Sequence, residues 1–185
     1  MVPLASLWLP IVVSAVIVFL ASWIVHMFLP LHRSDYAKLP NEDAVLDALR
    51  SLNIPTGQYL APYANSPAQM RQPEYLEKRK RGPTFFMTLA TTEPGMGKSL
   101  AQWFVYLLVI SLIVALAAVH ARVAGAPYPT VFKFVALVAF TAYALAHAHQ
   151  SIWARQAWRT TAVYFFDGLI YALLTAGVFG WLWPR

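Results

Sequence analysis

Residues Leu7–Leu29 read LWLPIVVSAVIVFLASWIVHMFL, an apolar run without a charged side chain. A hydrocarbon layer about 30 Å thick is crossed by about 20 helical residues, so the run is long enough to span a membrane. Three more runs of this kind follow: Ser99–Val119, Val131–His149 with Lys133 at its mouth, and Thr160–Trp183 with one charge, Asp167. Inside lipid every backbone N–H and C=O must be paired within the structure, which makes each run a helix. The expected fold is therefore an α-helical integral membrane protein. Its transmembrane helices lie at 7–29, 99–119, 131–149 and 160–183, and a polar insert occupies 30–98. Met1-Val2-Pro3-Leu4 has no basic residue and no small-x-small site follows the first run, so that run reads as a permanent anchor rather than a cleaved signal.

Composition agrees. Of 185 residues 59% are hydrophobic and only 12% charged, against about a quarter charged in soluble domains. The same figures exclude a disordered chain. With no cysteine, disulfides, thiolate metal sites and thiol catalysis are all excluded. A net charge of +6 matters here for orientation and for anionic lipid. One side, holding the insert and the Gln150–Arg159 link, carries Arg33, Lys38, Lys78, Arg79, Lys80, Arg81, Lys98, Arg155 and Arg159 near the helix ends. The other carries only Arg122, Lys133 and Arg185. The positive-inside rule then places the insert in the cytoplasm and both termini in the periplasm. Trp8, Trp103, Trp153, Trp158, Trp181 and Trp183 fall near the expected interfaces, where an amphipathic ring fits. The short links at Ala121–Thr130 and Gln150–Arg159 make consecutive helices antiparallel neighbours. No internal repeat points to an inverted-repeat transporter.

The insert holds seven of the eight acids. Asn41-Glu42-Asp43 reads as a capped helix start, and Val45, Leu49 and Leu52 recur at helical spacing until Pro55 and Gly57. Gly57–Ala64 reads as a short strand that Pro62 confines to an edge. Ser66-Pro67 starts a second helix, which Pro73 restarts and Gly82-Pro83 closes, and Thr84–Ala90 is strand-like again. An α-β-α-β unit results, with too small a core to stand alone.

Two motifs in the insert look functional. Lys78-Arg79-Lys80-Arg81 is a single basic block without interleaved aromatics, which disfavours nucleic acid and suits anionic lipid headgroups, a solvated helix end, or both. Gly95-Met96-Gly97-Lys98-Ser99 ends like a phosphate-binding loop, but Thr92 stands where the pattern needs glycine. No nucleotide is expected; a glycine turn into a span, with Lys98 snorkelling, accounts for the stretch.

Inside the spans, Tyr164, Asp167, Gly168, Tyr171 and Thr175 recur at three and four and form one stripe of the last helix. Thinner polar stripes are Ser14, Ser22 and His26 on the first, Gln102 and Tyr106 on the second, and Tyr143 and His147 on the third. Asp167, Tyr106, Tyr143 and His26 all lie toward the cytoplasmic ends, so they can meet between helices. An ionisable group in a span needs a partner, here His147, His26 or Arg159, with hydrogen bonds from Tyr106, Tyr143 or His147. The bland reading is polar glue fixing helix packing; the others are an ion or proton pathway and a ligand site. His26 and His147 are weak candidates for haem ligation. No full metal ligand set shows, since His147 and His149 face opposite sides of a helix. No Ser–His–Asp order, HExxH helix or carboxylate pair supports enzymatic hydrolysis, and no enzyme is expected.

Ser151-Ile152-Trp153, Asp167-Gly168-Leu169-Ile170-Tyr171-Ala172-Leu173, Thr175-Ala176-Gly177 and Gly180-Trp181-Leu182-Trp183-Pro184 resemble a group of short bacterial four-span inner-membrane proteins. His32-Arg33-Ser34-Asp35 through Gly57-Gln58-Tyr59 resembles the same group. The resemblance implies a bacterial inner-membrane setting and carries over no site residue. Two functions are expected. One is an accessory or assembly subunit meeting a membrane-protein partner or a second copy through the small residues Ala115, Ala118, Ala139, Ala142, Ala146, Gly177 and Gly180. The other is a small ion or proton carrier, or a haem-binding module, built round Asp167.

Overall fold

The computed structural model describes residues 2–92 and 95–185. The chain is mostly helical and divides into two compact units, Met1–Tyr36 with Gly95–Arg185, and Ala37–Pro94.

The first unit holds four helices long and apolar enough to cross a membrane: Leu4–Phe28, Met96–Ala121, Tyr128–Trp153 and Trp158–Trp181. In detail, a 3-10 turn at Leu4–Leu7 leads into α1 (Trp8–Phe28), and a second at Pro30–Ser34 follows it. The later helices of this unit are α5 (Met96–Ala121), α6 (Tyr128–Tyr143), α7 (Ala148–Trp153) and α8 (Trp158–Trp181). α1 packs on α5 and α8, and α6 packs on the same two, so the four make a closed ring. Polar groups turn inward: Ser14, Ser111, Thr175 and Asp167 are buried, and Ser14 Oγ donates to Ser111 Oγ across α1 and α5 at 3.1 Å. Outward faces are apolar, with Val12, Val16 and Leu20 exposed on α1, Val105, Val109 and Leu112 on α5, and Leu169 and Leu173 on α8.

The third long segment is not one continuous helix, as its unbroken apolar run suggests. It breaks at Ala144 (φ −115°, ψ −52°), passes through a 3-10 turn at Leu145–His147 and resumes as α7. The break lies at a close contact with α8, where a Cβ added at Gly168 would lie 2.7 Å from Ala144 Cβ. Of the expected Gln150–Arg159 link, Gln150–Trp153 is helical in α7 and Trp158 and Arg159 already belong to α8. Ser151 Oγ meets Thr161 Oγ1 at 2.6 Å, and Gln156 Nε2 donates to the same hydroxyl, which fixes the return into α8. At the other end Trp183 Nε1 donates to Val123 O and Gly125 N–H to Pro184 O, both at 2.9 Å. Gly125 has φ +72°, a conformation glycine adopts without Cβ strain. Trp183 is therefore a buried tie rather than an outward anchor, and Trp103 also faces inward, donating to Ser22 Oγ at 2.9 Å. Trp8, Trp153, Trp158 and Trp181 are exposed.

The second unit follows the expected order with a divided second helix: α2 (Glu42–Ser51), β1 (Gly57–Ala61), α3 (Pro67–Met70), α4 (Pro73–Arg81) and β2 (Phe85–Leu89). The strands pair antiparallel from Gly57 opposite Leu89 to Ala61 opposite Phe85. Pro62, which has no N–H to give, follows the last paired residue of β1. Ser66 caps α3 by accepting from Gln69 N–H. Asn41 differs from its expected role: it sits at φ +51° and its side chain makes no cap bond, so the acids Glu42 and Asp43 alone favour the α2 start. None of the described residues of this unit is buried.

Candidate functional site

A cavity of about 940 Å³ lies within the helical ring. All seven residues expected to cluster line it: His26, Tyr106, Tyr143, His147, Tyr164, Asp167 and Tyr171. Helical periodicity explains the convergence. Tyr164, Asp167, Gly168 and Tyr171 share the inner face of α8, and Ser22 with His26 shares that of α1. Between them Trp103, Leu100 and Ser99 of α5 form a wall, and Phe19, Trp23 and Met27 of α1 another. Trp23, Met27, Leu100 and Tyr106 are also exposed on the outside, so the α1–α5 seam is where the cavity reaches the surface.

Asp167 is buried, but its partner is not one of those expected. His32 Nε2 stands 2.9 Å from Asp167 Oδ2, and on the other side of the ring His32 Nδ1 stands 2.7 Å from Asp35 Oδ2. The side chains of Asp35 and Asp167 are only 3% and 4% exposed, so both carboxylates are withdrawn from solvent. The His32–Asp167 approach has ion-pair distance without hydrogen-bond direction, and Asp167 Oδ1 and Oδ2 accept no hydrogen bond among the described residues. Tyr143 and Tyr171 bring buried hydroxyls to the cavity, but these also lack hydrogen-bond partners among the described residues. Their rings meet edge to face at 5.7 Å instead.

The imidazoles are ordered by stacking. His26 lies parallel to His32 with centroids 4.2 Å apart and 9° between planes, while His147 stacks on Tyr164 at 4.6 Å. His26 and His147, the pair considered for haem, thus line one cavity against different rings. His26 Nδ1 is fixed 2.9 Å from Ser22 O, and the Ser22 hydroxyl in turn receives the Trp103 indole N–H.

Other expected sites separate from this one. Gly97, Lys98 and Ser99 already belong to the first turn of α5, where the Lys98 and Ser99 N–H groups donate to Gly95 O. Glu93 and Pro94, just before, lie outside the described residues. Lys78, Arg79, Lys80 and Arg81 form the exposed last turn of α4, and successive positions 100° apart distribute them round the helix rather than on one flat patch. Lys78 Nζ donates to Glu74 Oε1 at 2.7 Å, and this contact holds the Glu74 carboxyl below its ordinary range. Among the small residues, Ala115, Ala118 and Ala139 are buried in this chain's own core, and Gly180 lies beneath the Tyr128 ring.

Sequence reasoning missed His32 and Asp35 as members of the site. Both follow Pro30, outside the helical span, where periodicity gives no facing. Their one visible signal is the His-x-x-Asp spacing at the mouth of a span. No known family matches the chain, and no curated protein or solved structure shows significant similarity to it.

Proposed function

We propose that the chain is a multi-pass protein of a bacterial inner membrane that binds a small lipophilic molecule between its helices. The observation that carries this reading is the cavity of about 940 Å³, mostly apolar and aromatic, with a few convergent polar groups at Asp167 and the histidines. Sites for small molecules have this size and character, the apolar walls supplying affinity and the few polar groups orientation. Membrane insertion is supported by the apolar outer faces and inward polar groups of the four helices. The surface opening between α1 and α5 would then face lipid, from which a lipophilic ligand would enter. A polar head would rest near His26 and Asp167, and an apolar body against Phe19, Trp103 and Leu100. The charge count favours a cytoplasmic insert, with the exposed Lys78–Arg81 turn near anionic headgroups.

Organic extraction of the purified protein followed by mass spectrometry tests the reading. Wild-type protein should retain one lipophilic species in near-equimolar amount, and Leu100→Trp, which fills the cavity wall, should lose it. The same lipid profile in both proteins, matching the bulk membrane, would refute ligand binding.

A further inference from the structure

The polar end of the cavity gathers two imidazoles and a carboxylate from three separate segments. His26 comes from α1, His32 from the 3-10 turn after it, and Asp167 from α8. One ligating atom of each lies within 4.8 Å of the other two. Each histidine already has an acceptor at Nδ1: Asp35 Oδ2 at 2.7 Å for His32 and the Ser22 carbonyl at 2.9 Å for His26. An acceptor there holds the proton on Nδ1 and leaves the Nε2 lone pair free. Metal-binding histidines are oriented in this way, the second nitrogen donating to a carboxylate or carbonyl that sets tautomer and basicity.

The atoms that face each other make no hydrogen bond of good geometry. His32 Nε2 and both Asp167 oxygens are buried and lack a hydrogen-bond partner among the described residues. Their 2.9 Å separation is close to that of two cis ligands about 2.05 Å from one octahedral ion, and shorter than the roughly 3.3 Å of a tetrahedral one. Charge agrees as well. Asp35 and Asp167 flank His32 with two buried carboxyl groups, whose ionised forms a divalent cation would balance.

We infer that His26, His32 and Asp167 bind a divalent first-row transition metal of the zinc or iron class, with Asp35 positioning His32. Two imidazoles and one carboxylate leave coordination positions open, and these face the cavity that His26 and Asp167 line. The parallel stacking of His26 on His32 aims their lone pairs along separate planes, so joint ligation turns the His26 ring about its Cβ–Cγ bond and gives up its Ser22 carbonyl contact, while His32 keeps Asp35. The metal would sit at the polar end of the cavity proposed for the lipophilic molecule, so the inference rests on that pocket; Co(II) binding without a retained lipophile, or the reverse, tells the two readings apart. The same atoms have one rival arrangement, a His32 imidazolium bridging Asp35 and Asp167.

Full-length protein in nanodiscs, treated with chelator and titrated with Co(II), decides between them. One equivalent should bind with visible d–d bands and be displaced by Zn(II). Asp167→Asn and His32→Asn should weaken Co(II) binding by at least about 100-fold, and Asp35→Asn by about 10–100-fold. His120→Gln, outside this cluster, should leave the affinity unchanged. Asp35→Asn keeps all three ligands, so it remains informative if a ligand variant fails to fold. No stoichiometric Co(II) complex in the wild type, or wild-type affinity in Asp35→Asn and Asp167→Asn, would overturn the assignment. So would ¹⁵N spectra showing both His32 nitrogens protonated in the presence of Zn(II).

Discussion

Asp167 meets one partner at ion-pair distance and leaves two buried oxygens without a hydrogen bond. Replacing it separates shape from charge. Asp167→Asn keeps the volume and an acceptor, so its thermal midpoint in detergent should stay near that of the wild type while metal binding is lost. Asp167→Leu removes the acceptor facing His32 and should destabilise by about 1–3 kcal/mol, the cost of a buried polar group left unpaired. A wild-type midpoint for the leucine variant would mean that the His32 contact adds nothing to the fold. The neighbouring residue acts by volume alone. A side chain at Gly168 meets Ala144 Cβ at 2.7 Å, so Gly168→Val should cost about 1–3 kcal/mol through overpacking, read as a lowered midpoint. The polar stripe of α8 was legible because a helix repeats its face every three to four residues. His32 and Asp35 were not, because a residue in a turn has no such period and its facing is set by what the turn packs against.

Among the elements, the four long helices were readable from apolar length, but the break in the third was not. Neither proline nor glycine marks Ala144 in the chain; the tight packing lies across the bundle at Gly168. The insert shows the converse. Its prolines and glycines mark the starts of β1, α3 and α4 and the ends of β1 and α4, yet none of its described residues is buried. Ordering each residue costs about 1–2 kcal/mol of chain entropy, which so little apolar burial does not offset. A fragment of residues 37–94 should therefore give collapsed NMR dispersion and no cooperative unfolding transition. On α4 the Glu74–Lys78 pair contributes helix stability above the ordinary glutamate pKa and loses it as pH falls through the lowered folded value. Carboxyl NMR should show Glu74 titrating below a free glutamate, and Lys78→Ala should return it to the ordinary range.

For the whole molecule, the charge count predicts that both termini face the periplasm and the insert the cytoplasm. A membrane-impermeant thiol reagent on whole cells should label a cysteine placed after Arg185 and spare Asn65→Cys; the opposite pattern reverses the orientation. By itself the sequence determined the four long apolar helices, the buried polar stripe of the last one and the element order of the insert. It could do so because span length, periodicity and turn chemistry act within 20 or so neighbouring residues. Tertiary structure alone decided that Trp103 and Trp183 turn inward, that the third helix breaks and that His32 stands between two carboxylates. Each depends on which surface arrives opposite, and a chain far apart in sequence carries no local record of that meeting.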